Sequence, residues 1–142
     1  MADIFGVYCR NTGADMEFVD KTTGLVVFAF RNAVNNQFVQ SVVDNITAKA
    51  GGGQATAILL TAAMNRVTTV GSSADSVRLP PSVVGLDVVV INAAASNSMN
   101  VYPATGEAIN ALSANTAFAV AANKVCTFYC CTAGTWHTLL TA

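Results

Sequence analysis

From Gly51 onward the chain is a succession of short β-type runs with almost no charge between them. Only Arg66, Asp75, Arg78, Asp87, Glu107 and Lys124 are charged in that stretch. Val, Thr, Ile and Phe fill the runs, while Gly, Asn, Ser, Ala and Pro separate them. β-branched and aromatic residues fit a pleated, half-buried surface, and the separators are turn formers. Such a chain supplies few groups for acid–base chemistry and much surface suited to meeting other protein.

The bulk composition agrees. The 142 residues are 53% hydrophobic and 11% charged, against about 25% charged in an ordinary soluble domain. Charge is what keeps an exposed surface soluble, so its scarcity implies surface that is covered in the working state. A net charge of −1 without a basic cluster excludes the electrostatic footprint of a nucleic-acid binder. The expectation is an assembly component.

The opening Met1-Ala2-Asp3-Ile4-Phe5 has an acid where a signal peptide has bases. The longest apolar stretches, residues 88–95 and 116–122, fall well short of the ~20 residues that span a bilayer. The chain is therefore expected to be made in a cytoplasm, with no membrane partner.

Cys9, Cys126, Cys130 and Cys131 are poorly spaced for a disulfide framework, since neighbours in a strand point to opposite faces. A Cys-x₃-Cys-Cys run with His137 as the sole histidine lacks a second ligand pair for zinc. Packing is the expected role, with no metal and no cofactor. Asp15, Glu17 and Asp20 do not follow a calcium-loop pattern and alternate with Met16 and Phe18 as strand residues do. No Gly-x-Ser-x-Gly elbow accompanies His137, and no paired acids converge for glycoside hydrolysis. The sequence offers no catalytic residues, and a non-enzymatic role is expected. Tyr102, Phe128, Tyr129 and Trp136 are the aromatics from which a sugar platform would be built; core or interface packing is the competing reading.

Along the chain, residues 3–9 read as a strand, and runs at 16–20 and 25–30 flank the turn Lys21-Thr22-Thr23-Gly24 as a hairpin. Residues 31–49 stay open between a short helix and an irregular strand. Val34, Phe38, Val42 and Ile46 recur every fourth residue, while the Asn pair and β-branched content oppose a helix. Gly51-Gly52-Gly53 reads as a joint within one domain, between an N-terminal arm or hairpin region (1–50) and a β-sandwich (51–142). The later runs fall at 56–61, 65–70, 76–79, 86–92, 100–102, 107–110, 116–120, 124–131 and 135–141. Their spacing predicts an all-β fold, an antiparallel β-sandwich or jelly-roll-like architecture.

Six pieces in order carry a resemblance. They are Gly51-Gly52-Gly53-Gln54-Ala55-Thr56, Asn65-Arg66-Val67-Thr68-Thr69-Val70 and Asp75-Ser76-Val77-Arg78-Leu79-Pro80, then Val88-Val89-Val90-Ile91-Asn92-Ala93, Val101-Tyr102-Pro103-Ala104-Thr105-Gly106 and Gly134-Thr135-Trp136-His137. Together they resemble a β-sandwich module of tailed-bacteriophage virion proteins, found in head decoration or fibre proteins and in tail structural proteins. The resemblance spans residues 51–137 and brings no catalytic residues. It implies a capsid decoration or cement protein on the virion surface, bound to the major capsid protein and to itself, as a homotrimer at local three-fold positions. A tail or head-fibre component is the alternative within that family, and a carbohydrate-binding β-sandwich the alternative outside it. Ile4, Phe5, Tyr8, Tyr102 and Trp136 are the expected interface residues.

Overall fold

The computed structural model describes residues 3–4, 7–11, 15–31 and 37–141. It is all-β, and the chain divides into two compact units, Met1–Ser41 and Val42–Ala142.

Unit 1 is a five-stranded antiparallel meander of β1 (Asp3–Ile4), β2 (Val7–Asn11), β3 (Asp15–Asp20), β4 (Val26–Arg31) and β5 (Gln37–Val39). The expected hairpin is β3–β4. Asp20 closes its turn by accepting the N–H groups of Thr22 at 2.9 Å and Thr23 at 2.7 Å through one carboxylate oxygen. Gly24 completes the turn at φ +70°, a conformation a Cβ disfavours. The run at 3–9, read as a strand, has partners close in sequence. Its second part is β2, which pairs with β3 from Val7↔Asp20 to Asn11↔Met16. Arg10 and Asn11 belong to β2, and Thr12 and Gly13 lie outside the described residues.

The boundary between units precedes β6 (Val42–Thr47), which belongs to unit 2 because its backbone pairs with β8 (Met64–Thr69). Gly51-Gly52-Gly53 lies within unit 2. Residues 42–47 resolve the open reading in favour of an irregular strand. Asn45 sits at φ +57° where the register with β8 slips, the signature of a bulge. Val34 lies outside the described residues.

Unit 2 departs from the expected antiparallel sandwich or jelly roll. Long strands β6, β8 and β10 (Asp87–Asn92) pair in parallel in one sheet, and short strands β7 (Ile58–Leu59), β9 (Ser76–Arg78) and β11 (Met99–Tyr102) pair in parallel in a second. The chain runs a long strand, crosses to the other sheet for a short one, and returns one level up. Three coils stack in the manner of a β-solenoid. Consecutive strands lie in different sheets, so each strand finds its hydrogen-bonding neighbour about one coil away, as in Val42↔Met64 and Met64↔Val89.

Past the third coil the pattern changes. β14 (Lys124–Thr132) pairs antiparallel with β10, β15 (Thr135–Leu140) antiparallel with β14, and β13 (Phe118–Val120) antiparallel with β11. β12 (Ala108–Ile109) lies beside β15. This hairpin closes the C-terminal end of the stack. The two sheets share one core containing Val67, Val90, Phe128 and Trp136 from the larger sheet and Val77, Met99 and Val101 from the smaller. Each fully buried aliphatic contributes roughly 1.5–3 kcal/mol of transfer free energy. Phe118 meets Phe128 edge-on at 6.0 Å between ring centroids, a geometry that adds about 0.5–1.5 kcal/mol.

Candidate functional site

The polar side chains of unit 2 hold its corners. Asn92 ends β10 fully buried; its amide donates to the carbonyls of Asn97 and Val120, each at 2.9 Å, and accepts the Ala94 N–H at 3.1 Å. Asn97 donates to the Val70 carbonyl at 2.9 Å, tying the third coil's corner to the second's. Asp75 does the same between the second coil and the first. Its carboxylate accepts the Ser72 hydroxyl at 2.8 Å and the backbone N–H groups of Gly51 at 3.1 Å and Gly71 at 2.7 Å. Those donors hold its carboxyl below the usual carboxylate range, with Ser72 the largest influence.

Glu107 anchors the end of the hairpin. One carboxylate oxygen accepts the Ser82 N–H at 2.8 Å and the other the Trp136 indole N–H at 3.1 Å. The Ser82 hydroxyl accepts the Gly134 N–H at 2.8 Å, so the proline-rich loop, β12 and the β14–β15 turn are fastened together. Trp136 is fully buried. A side chain with no accessible surface cannot touch a partner directly, so its expected interface role becomes a core role. Tyr102 ends β11 half-buried in the smaller sheet. Ile4 and Tyr8 lie on β1 and β2, paired across Ile4↔Val7 and Asp3↔Tyr8, and Phe5 lies outside the described residues.

The remaining chemistry-bearing groups stand apart. His137 is exposed on β15 beside Tyr129 of β14. Phe128 and Trp136 face the core while Tyr129 faces outward, so the aromatics do not form one platform. In unit 1, Glu17 accepts from the Arg10 Nε at 2.9 Å. In unit 2, Asp44 accepts from Arg66 at 2.9 Å. Cys126 and Cys130 point inward, and burial pushes the Cys126 thiol up to about 11. Cys131 is exposed and Cys9 half-buried. Among the described residues no group of three or more His, Cys, Asp or Glu side chains is placed to hold a metal ion.

Exposed large apolar side chains include Val42 and Leu139 on the larger sheet and the adjacent Val83 and Val84 in the loop after Pro80-Pro81. Reasoning from the residues missed Leu139 and Val42 as surface groups. The available signal was the all-apolar run of β10, which carries Val89 and Ile91 on the side away from the core.

Compared with known proteins, the chain matches no family model, no curated protein and no solved structure.

Proposed function

We propose that this chain is a non-enzymatic structural protein of a tailed-bacteriophage virion, a capsid decoration or cement protein that binds across seams between major capsid subunits. The observation that carries the reading is a weakly charged β surface with large apolar side chains turned outward. The ordered segments between residues 51 and 137 that resemble virion proteins supply the context. Burial of apolar surface at about 25 cal/mol per Å² would drive attachment. Charge steering would contribute little at a net charge of −1. By the same resemblance the protein works as a homotrimer at local three-fold positions and is made in the host cytoplasm. Cosedimentation with empty shells of the parent phage tests the reading: binding that persists at high salt supports it, and no binding to mature-form shells overturns it. A tail or head-fibre component is the second reading. It draws support from the stacked coils, since parallel coil stacking is an architecture that extends along one axis.

A further inference from the structure

We propose that the outer face of the four-stranded sheet in unit 2 holds a binding site for a phosphate or sulfate group, free or carried as an ester on a sugar.

Register and alternation bring five donor side chains together there. Val77 and Val101 point into the core from β9 and β11, so Ser76 and Arg78 on β9 and Asn100 and Tyr102 on β11 take the opposite face. The parallel register sets Ser76 beside Asn100 and Arg78 beside Tyr102. Lys49 joins the first row. Its backbone exchanges both hydrogen bonds with Ser76, at 2.9 and 3.0 Å, and directly opposite residues of an antiparallel pair share a face. Neighbours within a row stand ~5 Å apart and the rows ~7 Å apart, a span that the long Lys49 and Arg78 side chains can close around one anion.

The face carries two cations and no free carboxylate. Unit 2 has four acids, Asp44, Asp75, Asp87 and Glu107. Asp44 is paired with Arg66, Asp87 lies on β10 in the other sheet, and Glu107 holds Ser82 and Trp136. Asp75 adjoins Ser76, but its oxygens are filled by the N–H groups of Gly51, Gly71 and Ser72 and by the Ser72 hydroxyl. Among the described residues the side chains of Lys49, Arg78, Asn100 and Tyr102 have no hydrogen-bond or ion-pair partner. Lys49 is exposed, and the other three are half-buried.

Ser76 supplies a second, independent observation. Its hydroxyl is the one buried side-chain oxygen or nitrogen without a partner among the described residues. Buried polar groups are nearly always satisfied, so an orphan in the middle of a donor cluster points to a ligand. The Lys49 stem lies close to it, since a Cβ at Gly52 would strike both.

A guanidinium fork, an ammonium and neutral O–H and N–H donors select an oxyanion. The several oxygens of a phosphate or sulfate match donors that arrive from two strands and the sheet edge. The two of a carboxylate would leave some idle. The Tyr102 ring offers an apolar surface to a sugar that carries the ester.

The test is titration calorimetry on the full chain in a buffer free of oxyanions, with inorganic phosphate, sulfate and glucose 6-phosphate as probes. The wild type should bind saturably in the millimolar range or tighter, and the bound probe should raise its melting temperature. Arg78→Gln and Lys49→Gln should each weaken binding at least about tenfold, the loss of a charge-assisted hydrogen bond, with unchanged circular dichroism spectra. Tyr102→Phe should weaken it in the same direction. Lys124→Gln, on β14 in the other sheet, should leave the affinity unaltered. Tighter binding of glucose 6-phosphate than of phosphate assigns the site to an ester, and equal affinity assigns it to the free ion. No saturable binding of any probe overturns the proposal. So does a folded Arg78→Gln or Lys49→Gln chain that binds as tightly as the wild type, or an equal weakening by Lys124→Gln.

Discussion

An ideal Cβ added to Gly52 would lie 2.6 Å from Lys49 Cγ and 2.7 Å from the buried Ser76 Oγ. The residue sits where the first coil's corner presses on the Lys49–Ser76 bridge. Gly52→Ala should therefore cost about 1–3 kcal/mol, the usual penalty of overpacking. Gly53, with nothing within 4 Å of its added Cβ, should tolerate alanine; paired urea melts separate the two. Asp75 gives a pH test. Its depressed pKa means that its stabilising contribution is present above the unfolded carboxylate value and is lost as pH falls through the lower folded value. Asp75→Asn should lower the melting temperature at neutral pH, and the gap from wild type should close in acid. A gap that is unchanged in acid would contradict the role assigned to the carboxylate. Asp75 and Glu107 both lie beside turns, where carboxylates are ordinary. That Asp75 joins two coils and Glu107 holds the Trp136 indole was not legible, because Gly51, Ser82 and Trp136 are brought to them only by the stacking.

At the scale of elements, strand positions were legible and strand partners were not. β8 through β15 fall on the runs that β-branched content and Pro, Gly or Asn breaks mark out. Pairing direction depends on what lies between hydrogen-bonded neighbours. The short spacings that suggested an antiparallel sandwich separate strands of different sheets, and the relevant interval is the longer one from Val42 to Met64 or from Val77 to Val101. A search for a coil-length internal repeat is the reading that would have found it. The same correction changes what truncation should do. Removing residues 1–10 deletes β1 and all of β2 except Asn11, stripping β3 of its partner on one side. Unit 1 should lose protection while the coils of unit 2 stay folded. Hydrogen exchange should report fast amides at Met16–Asp20 and slow ones at Val88–Asn92. Fast exchange throughout would show that the two units fold as one.

At the scale of the whole molecule, low charge and high apolar content were the most informative features of the composition, and they pointed to surface that is covered in the working state. The folded chain carries exposed apolar side chains at Leu139 and Val42 on the larger sheet and at Val83 and Val84 in the loop after Pro81. The all-apolar run of β10 signalled apolar residues on both faces, and that Val89 and Ile91 are the outward ones followed only once Val88 and Val90 were known to point inward. The most direct measurement is a density map of the virion. The account predicts copies of this chain on the outer shell, across seams between major capsid subunits. Particles that lack the chain, or carry it only in the tail, would contradict the capsid-cement reading.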